Sequence, residues 1–150
     1  MTDLNDLYQE LVMEHYRKPS NYKKLDKSDR SADGYNPFCG DIITVELSLQ
    51  GDHISDVGFQ GKGCAISRAS ASMMTEAVKG KSMEEAEHLF QGFHALLTKD
   101  ESVEIDHDAL GDLEVMSGVA DYPTRVKCAT LSWNTLKSAF KDEKETVSTE

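Results

Sequence analysis

Cys39, Asp41, Cys64 and Cys128 are the residues of this chain whose types are best suited to chemistry, and they include every cysteine in its 150 residues. Three thiolates and a carboxylate make a complete tetrahedral ligand set for zinc, and thiolates are also the ligands of iron–sulfur clusters. No two of the cysteines form a Cys-x-x-Cys pair, so a zinc finger or ribbon is excluded on spacing. Cys39 and Asp41 flank Gly40, and both side chains can face one side of an extended turn. Cys64 and Cys128 are expected to open helices, where unpaired N–H groups and the macrodipole favour an anion and lower a thiol pKa. Only the fold can bring the four together.

Taken singly, a cysteine is commonly a small buried hydrophobe. Three of them, each at an element boundary beside Gly, Asp or Arg, favour a shared site. Were all four residues to bind Zn²⁺, the formal charge there would be 2 − 4 = −2. Arg125 and Lys127, beside Cys128, either offset that charge or are solvated surface residues. His15, His53, His88, His94 and His107 are scattered and none adjoins a cysteine, so they read as surface or packing residues. The Met73-Met74 pair reads as core.

The elements that must position these residues follow from periodicity and punctuation. Leu4, Leu7, Tyr8 and Leu11 recur at helical spacing, with Asp3 available as N-cap and Pro19 beyond the end, which predicts a one-sided helix over 3–17. A polar loop follows and runs into the turn formers of 34–41. Ile43, Val45, Leu47 and Leu49 alternate with Thr44, Glu46 and Ser48 as a half-buried strand, and Gly51-Asp52 turns it back into a hairpin partner over 54–60. Gly58, Gly61 and Gly63 crowd the approach to Cys64 and imply positive φ or a close approach to a metal just before that residue. A small-residue helix is expected from Cys64 to Lys79, with Gly80 as its C-cap. Ser82 and Glu85 form a capping box for the next helix, which carries Met83, Ala86, Leu89, Phe90, Phe93 and Leu97. One or two short helical turns are expected within 108–118. A final helix from Cys128 carries Leu131, Trp133, Leu136 and Phe140, and residues 143–150 read as a frayed, disordered acidic tail.

Composition bounds the function. A chain of this length is most simply one domain, 1–150, with enough residues for a real core and no need of disulfide staples. Sixteen basic against 27 acidic residues give a net charge of −11, which argues against nonspecific nucleic-acid binding. No apolar run approaches the roughly 18 residues of a membrane span. No signal-peptide pattern precedes the first helix, so a reducing cytoplasm is the expected compartment. The basic residues of 17–30 and the acidic residues of 100–114 are either solvated surface or partner-docking segments.

Three segments carry a recognisable pattern: Asn36-Pro37-Phe38-Cys39-Gly40-Asp41, Gly61-Lys62-Gly63-Cys64-Ala65-Ile66-Ser67 and Arg125-Val126-Lys127-Cys128-Ala129. In this order they resemble the IscU/NifU-like family of iron–sulfur assembly proteins, over about residues 3–140. Two features set the chain apart from the scaffold-type members of that family. Lys127 stands where those members have a histidine, and the stretch from Ser82 to Gly118 is longer than they need. Both features look like the SufU branch.

The resemblance implies an α+β fold of the SufE/NifU-like, IscU-like kind, a small antiparallel sheet with helices packed on it and a metal site at one exposed end. It implies Cys39, Asp41, Cys64 and Cys128 as zinc ligands, and Cys39 as acceptor of sulfur from a pyridoxal-phosphate cysteine desulfurase (SufS-like). Arg125 is assigned a supporting role. The function so implied is a zinc-dependent sulfurtransferase that hands sulfur to a downstream iron–sulfur scaffold. Two alternatives stand beside it: a scaffold holding a transient [2Fe–2S] cluster on the same residues, and a structural zinc module for protein binding. A closed four-ligand zinc is chemically quiet, so a reacting thiolate must first be released. Asp41, the one hard oxygen among soft sulfurs, is the ligand expected to exchange most readily.

Overall fold

The computed structural model describes residues 4–141 and 147–148. Its elements run α1 (Leu4–Arg17), β1 (Arg30–Asn36), β2 (Asp41–Gln50), β3 (His53–Lys62), α2 (Ala65–Val78), α3 (Met83–Thr98), α4 (His107–Leu110), a 3-10 segment (Gly111–Val119), α5 (Pro123–Phe140) and β4 (Val147–Ser148). The sheet order is β3-β2-β1-β4. The first three strands are antiparallel, and β4 adds a two-residue parallel pairing to Gly34 and Tyr35. This is an α+β fold, an antiparallel sheet with helices packed on it.

The alternation of β2 decides which way the site residues point. Asp41, Ile43, Val45 and Leu47 are buried and share one face, while Ile42 on the other face is exposed. Helices α2 and α5 lie against the covered face, α1 packs on α2, and Phe90 and Phe93 of α3 stack on Trp133 of α5. Asp41 therefore sits where the inward face of the sheet reaches its end, beneath the helices. Met73 and Met74 are core.

The sequence-derived helix over 64–79 appears as α2, and Ser82 and Glu85 form the expected capping box of α3. Short helical turns occupy 107–119. Three expectations change. First, 30–36 is a strand and not a loop, because its inward residues are Ala32, Gly34 and Asn36 and carry no apolar signature. A Cβ at Gly34 would run into the Thr135 side chain of α5, so this close sheet–helix approach demands the smallest residue. Second, α1 buries Tyr8 and Val12 and leaves Leu7 exposed, a face rotated from the one its leucines suggest. Third, α5 starts at Pro123, five residues before Cys128. Proline at the first helical position has its fixed φ and missing N–H where a helix tolerates both. The expected Asp3 N-cap, and the acidic tail apart from Val147 and Ser148, lie outside the described residues. Among the described residues, no helix is long and apolar enough to cross a membrane.

Candidate metal centre

A turn, the strand that follows it and two helices deliver four side chains to one point. The β1–β2 turn supplies Cys39, the first residue of β2 supplies Asp41, the N-cap of α2 supplies Cys64, and the second turn of α5 supplies Cys128. One ligand atom from each lies within 4.8 Å of every other. The Sγ atoms of Cys39 and Cys128 are 3.2 Å apart, and Cys64 Sγ is 3.9 Å from Asp41 Oδ2. Sulfurs bound to zinc at about 2.3 Å stand about 3.8 Å apart at tetrahedral corners, so the donors are already near the spacing a zinc ion needs. No histidine belongs to the cluster.

Electrostatics points the same way. The Cys64 and Cys128 thiols, set side by side, do not both ionise readily without a cation between them. A hydrogen bond with Cys128, reinforced by the Ser67 N–H, brings the Cys64 thiol down to about 7. That same bond, with burial, holds the Cys128 thiol well above the usual thiol range. The placement of Cys128 inside α5 corrects the expected helix-start effect at this residue. Its own N–H lies beyond the first turn, and the dipole effect fades within that turn. Cys64 does sit at a helix start and accepts from Ser67 N at 3.4 Å.

Burial divides the four. Asp41 is wholly buried, Cys128 nearly so, Cys64 is half-buried, and Cys39 is exposed. Asp41 Oδ1 accepts the Cys64 backbone N–H at 2.8 Å and its Oδ2 accepts from Asn36 Nδ2 at 3.1 Å. Gly63 makes this possible. A Cβ there would stand 2.6 Å from Asp41 Oδ1, so the glycine-rich segment comes close to the carboxylate of a candidate ligand. Arg125 is not hydrogen-bonded to the four; its guanidinium lies 4.5 Å over the Tyr122 ring. Its charge does reach Tyr8, whose hydroxyl pKa is raised chiefly by burial while Arg125 opposes the rise. Lys127 Nζ lies 4.0 Å over the ring of Phe38, the neighbour of Cys39. Asn36, fully buried among these groups, is a site residue that sequence reasoning passed over. Its only signal was a polar residue three before a turn cysteine.

The family model for the NifU-like N-terminal domain matches residues 7–129. The chain belongs to that family. The zinc-dependent sulfurtransferase SufU of Bacillus subtilis (strain 168) is 43% identical over 142 residues, which are 94% of each chain. The iron–sulfur cluster assembly scaffold protein IscU of Streptococcus pyogenes serotype M1 is 42% identical over 141 residues, 94% of this chain and 87% of that one. Among solved structures, a SUF-system protein of Fervidobacterium islandicum AW-1, assigned as an assembly scaffold, superposes with a TM-score of 0.82 at 34% identity, over 89% of this chain and 96% of that one. The N-terminal NifU-like domain from Brucella abortus shares the fold, with a TM-score of 0.81 at 22% identity, over 93% and 95% of the two chains.

Proposed function

We propose that this chain is a zinc-dependent sulfurtransferase of iron–sulfur cluster assembly, working in the cytoplasm with a SufS-like, pyridoxal-phosphate-dependent cysteine desulfurase. One observation carries the reading: of the clustered thiols only Cys39 is exposed, while Asp41, Cys64 and Cys128 are set into the protein behind it. The relative named a zinc-dependent sulfurtransferase, alike over 94% of both chains, supports it. Cys39, Asp41, Cys64 and Cys128 would hold the zinc, which when bound keeps the thiols ionised and, fully ligated, quiet.

Cys39 is the nucleophile in this reading. Its thiolate attacks the outer sulfur of the desulfurase persulfide, forming a new S–S bond on Cys39 as the desulfurase S–S bond breaks. The desulfurase cysteine leaves as a thiolate, so sulfur moves without an external oxidant or reductant. The same exchange, run against a thiol of a downstream iron–sulfur scaffold, passes the sulfur on. Phe38, 58% exposed, offers an apolar landing next to Cys39, with Lys127 as a cation over its ring.

A scaffold role is the second reading, favoured by the relatives named scaffold proteins and by the same thiol cluster. The test is an anaerobic incubation of zinc-loaded protein with desulfurase and cysteine, followed by peptide mass spectrometry and an absorption spectrum after iron is added. One extra sulfur on Cys39 is expected. A mark on Cys64 or Cys128 overturns the assignment of the acceptor. A [2Fe–2S] spectrum with no marked cysteine supports the scaffold, and neither signal leaves a structural zinc module.

A further inference from the structure

Asn36 ends β1 directly opposite Asp41 at the start of β2, and its side chain is entirely buried. Every hydrogen-bonding direction it uses goes to the metal centre or to the turn that carries Cys39. Its Nδ2 donates to Asp41 Oδ2 at 3.1 Å and to Cys128 Sγ at 3.4 Å, and its Oδ1 accepts the Phe38 backbone N–H at 3.2 Å. The amide orientation follows from that network, since the flipped form would set its oxygen against the Asp41 carboxylate and its NH₂ against the Phe38 N–H.

Donors are shared out unequally among the four candidate ligands. Asp41 receives two N–H groups, from Asn36 and the Cys64 backbone. Cys64 receives the Ser67 N–H, and Cys128 receives Asn36 Nδ2. Cys39 Sγ, among the described residues, meets only the sulfur of Cys128. An N–H aimed at a thiolate or carboxylate stabilises its anionic, ligating form and fixes its direction. The ligand with no such donor is held least.

We infer that Asn36 is a positioning residue that pins Asp41 and Cys128 as fixed ligands and thereby singles out Cys39 as the thiol that can leave the metal and react. The inference rests on the proposed zinc site but not on sulfur transfer itself. It also reassigns the exchangeable ligand: Asp41, expected from ligand softness to exchange most readily, is doubly tethered, and Cys39 takes that place.

Two variants separate this role from simple support of the turn. Asn36→Asp keeps the acceptor for the Phe38 N–H and deletes both donors, whereas Asn36→Ala deletes everything. Each is loaded with Zn²⁺, competed against a chromophoric chelator, and briefly alkylated with iodoacetamide for peptide mapping. Wild-type protein is expected to be alkylated at Cys39 alone. Both variants are expected to bind zinc about 10–100-fold more weakly and to be alkylated at Cys128 as well as Cys39. Cobalt-loaded samples provide a readout independent of alkylation, a shifted thiolate-to-metal absorption in both variants. If Asn36→Asp keeps wild-type affinity, labelling and cobalt spectrum, Asn36 only holds the turn and the inference fails. If wild-type zinc protein is alkylated equally at all three cysteines, the inference fails as well. A wild-type chain that shows these labelling patterns but accepts no sulfur from a desulfurase would refute the proposed function and leave the role of Asn36 standing.

Discussion

The two sides of the metal centre are built differently. On one side, Asp41, Cys64 and Cys128 sit in the wall formed by β2, α2 and α5, each receiving at least one N–H. On the other, Cys39 rides an exposed turn beside Phe38, which is exposed as well. A site meant only to staple a fold would gain from burying all four ligands alike. One accessible thiol against three inset groups is instead the arrangement that the proposed sulfur transfer needs, a thiol free to meet a partner while its neighbours would keep hold of the metal.

The largest effect should come from emptying the site altogether. Structural zinc binding releases on the order of 10 kcal/mol in small zinc-dependent folds, and here it would join one end of the sheet to two helices. In a chain of this size 1 kcal/mol moves Tm by about 2–4 °C. Chelation is therefore expected to lower Tm by at least about 10 °C in calorimetry, with recovery when zinc is restored. An unchanged melt after verified metal removal would show that the buried wall stands without the ion, and the contrast between the two sides would lose its energetic meaning.

Splitting that effect between the two sides sharpens the contrast. Cys128→Ser removes a buried sulfur that touches both Cys39 and Asn36, so it should lose zinc and much of the stability with it. Cys39→Ser removes an exposed sulfur with no N–H donor, so it should abolish sulfur uptake while retaining more zinc and a higher Tm than Cys128→Ser. Metal content, melting and desulfurase turnover measured on the same samples decide it. Equal losses of zinc in the two variants would erase the distinction.

Much of this architecture was legible in the sequence because it is written in apolar period or in caps. The Ile43–Val45–Leu47 alternation, the Ser82–Glu85 box and the small-residue helix after Cys64 all have local signatures, and all appear. What escaped had no such signature. Strand β1 turns Ala32, Gly34 and Asn36 inward, so burial there follows from the nearness of α5 and not from hydrophobicity. The start of α5 was missed because Pro123 reads as a breaker unless its place at the first turn is known. At the site, residue types pointed to the four candidate ligands. Asn36 is defined by what surrounds it, which a linear sequence does not display.

Gly63→Ala tests the tethered side with a single methyl group. Its Cβ would be placed 2.6 Å from Asp41 Oδ1, an oxygen already held by the Cys64 N–H. Either the carboxylate or the backbone before α2 must shift, and overpacking of this kind costs roughly 1–3 kcal/mol. Zinc affinity by chelator competition is expected to fall about tenfold, the lower end for disturbed outer-shell partners, with the labelling preference for Cys39 reduced. Wild-type affinity would mean that Asp41 is mobile enough to be the exchanging ligand after all.

The smallest effect belongs to Arg125, on the exposed side of the contrast. It is stacked on Tyr122 and makes no hydrogen bond to the four site residues, so its contribution is the field of an accessible cation beside an anionic centre. Such charges act mainly on association rates and are screened by salt. Arg125→Ala should leave zinc content and Tm unchanged and slow the sulfuration of Cys39 by about two- to tenfold at low ionic strength. That difference should shrink towards none near 1 M salt, where the screening length falls to about 3 Å. Arg125→Lys keeps the charge and should restore most of the rate. If lysine fails to rescue while the salt dependence persists, the planar guanidinium makes a directed contact with the incoming partner. If neither variant changes the rate, Arg125 is a surface residue, and the reactivity of the exposed side is left to Cys39 and its apolar neighbour Phe38.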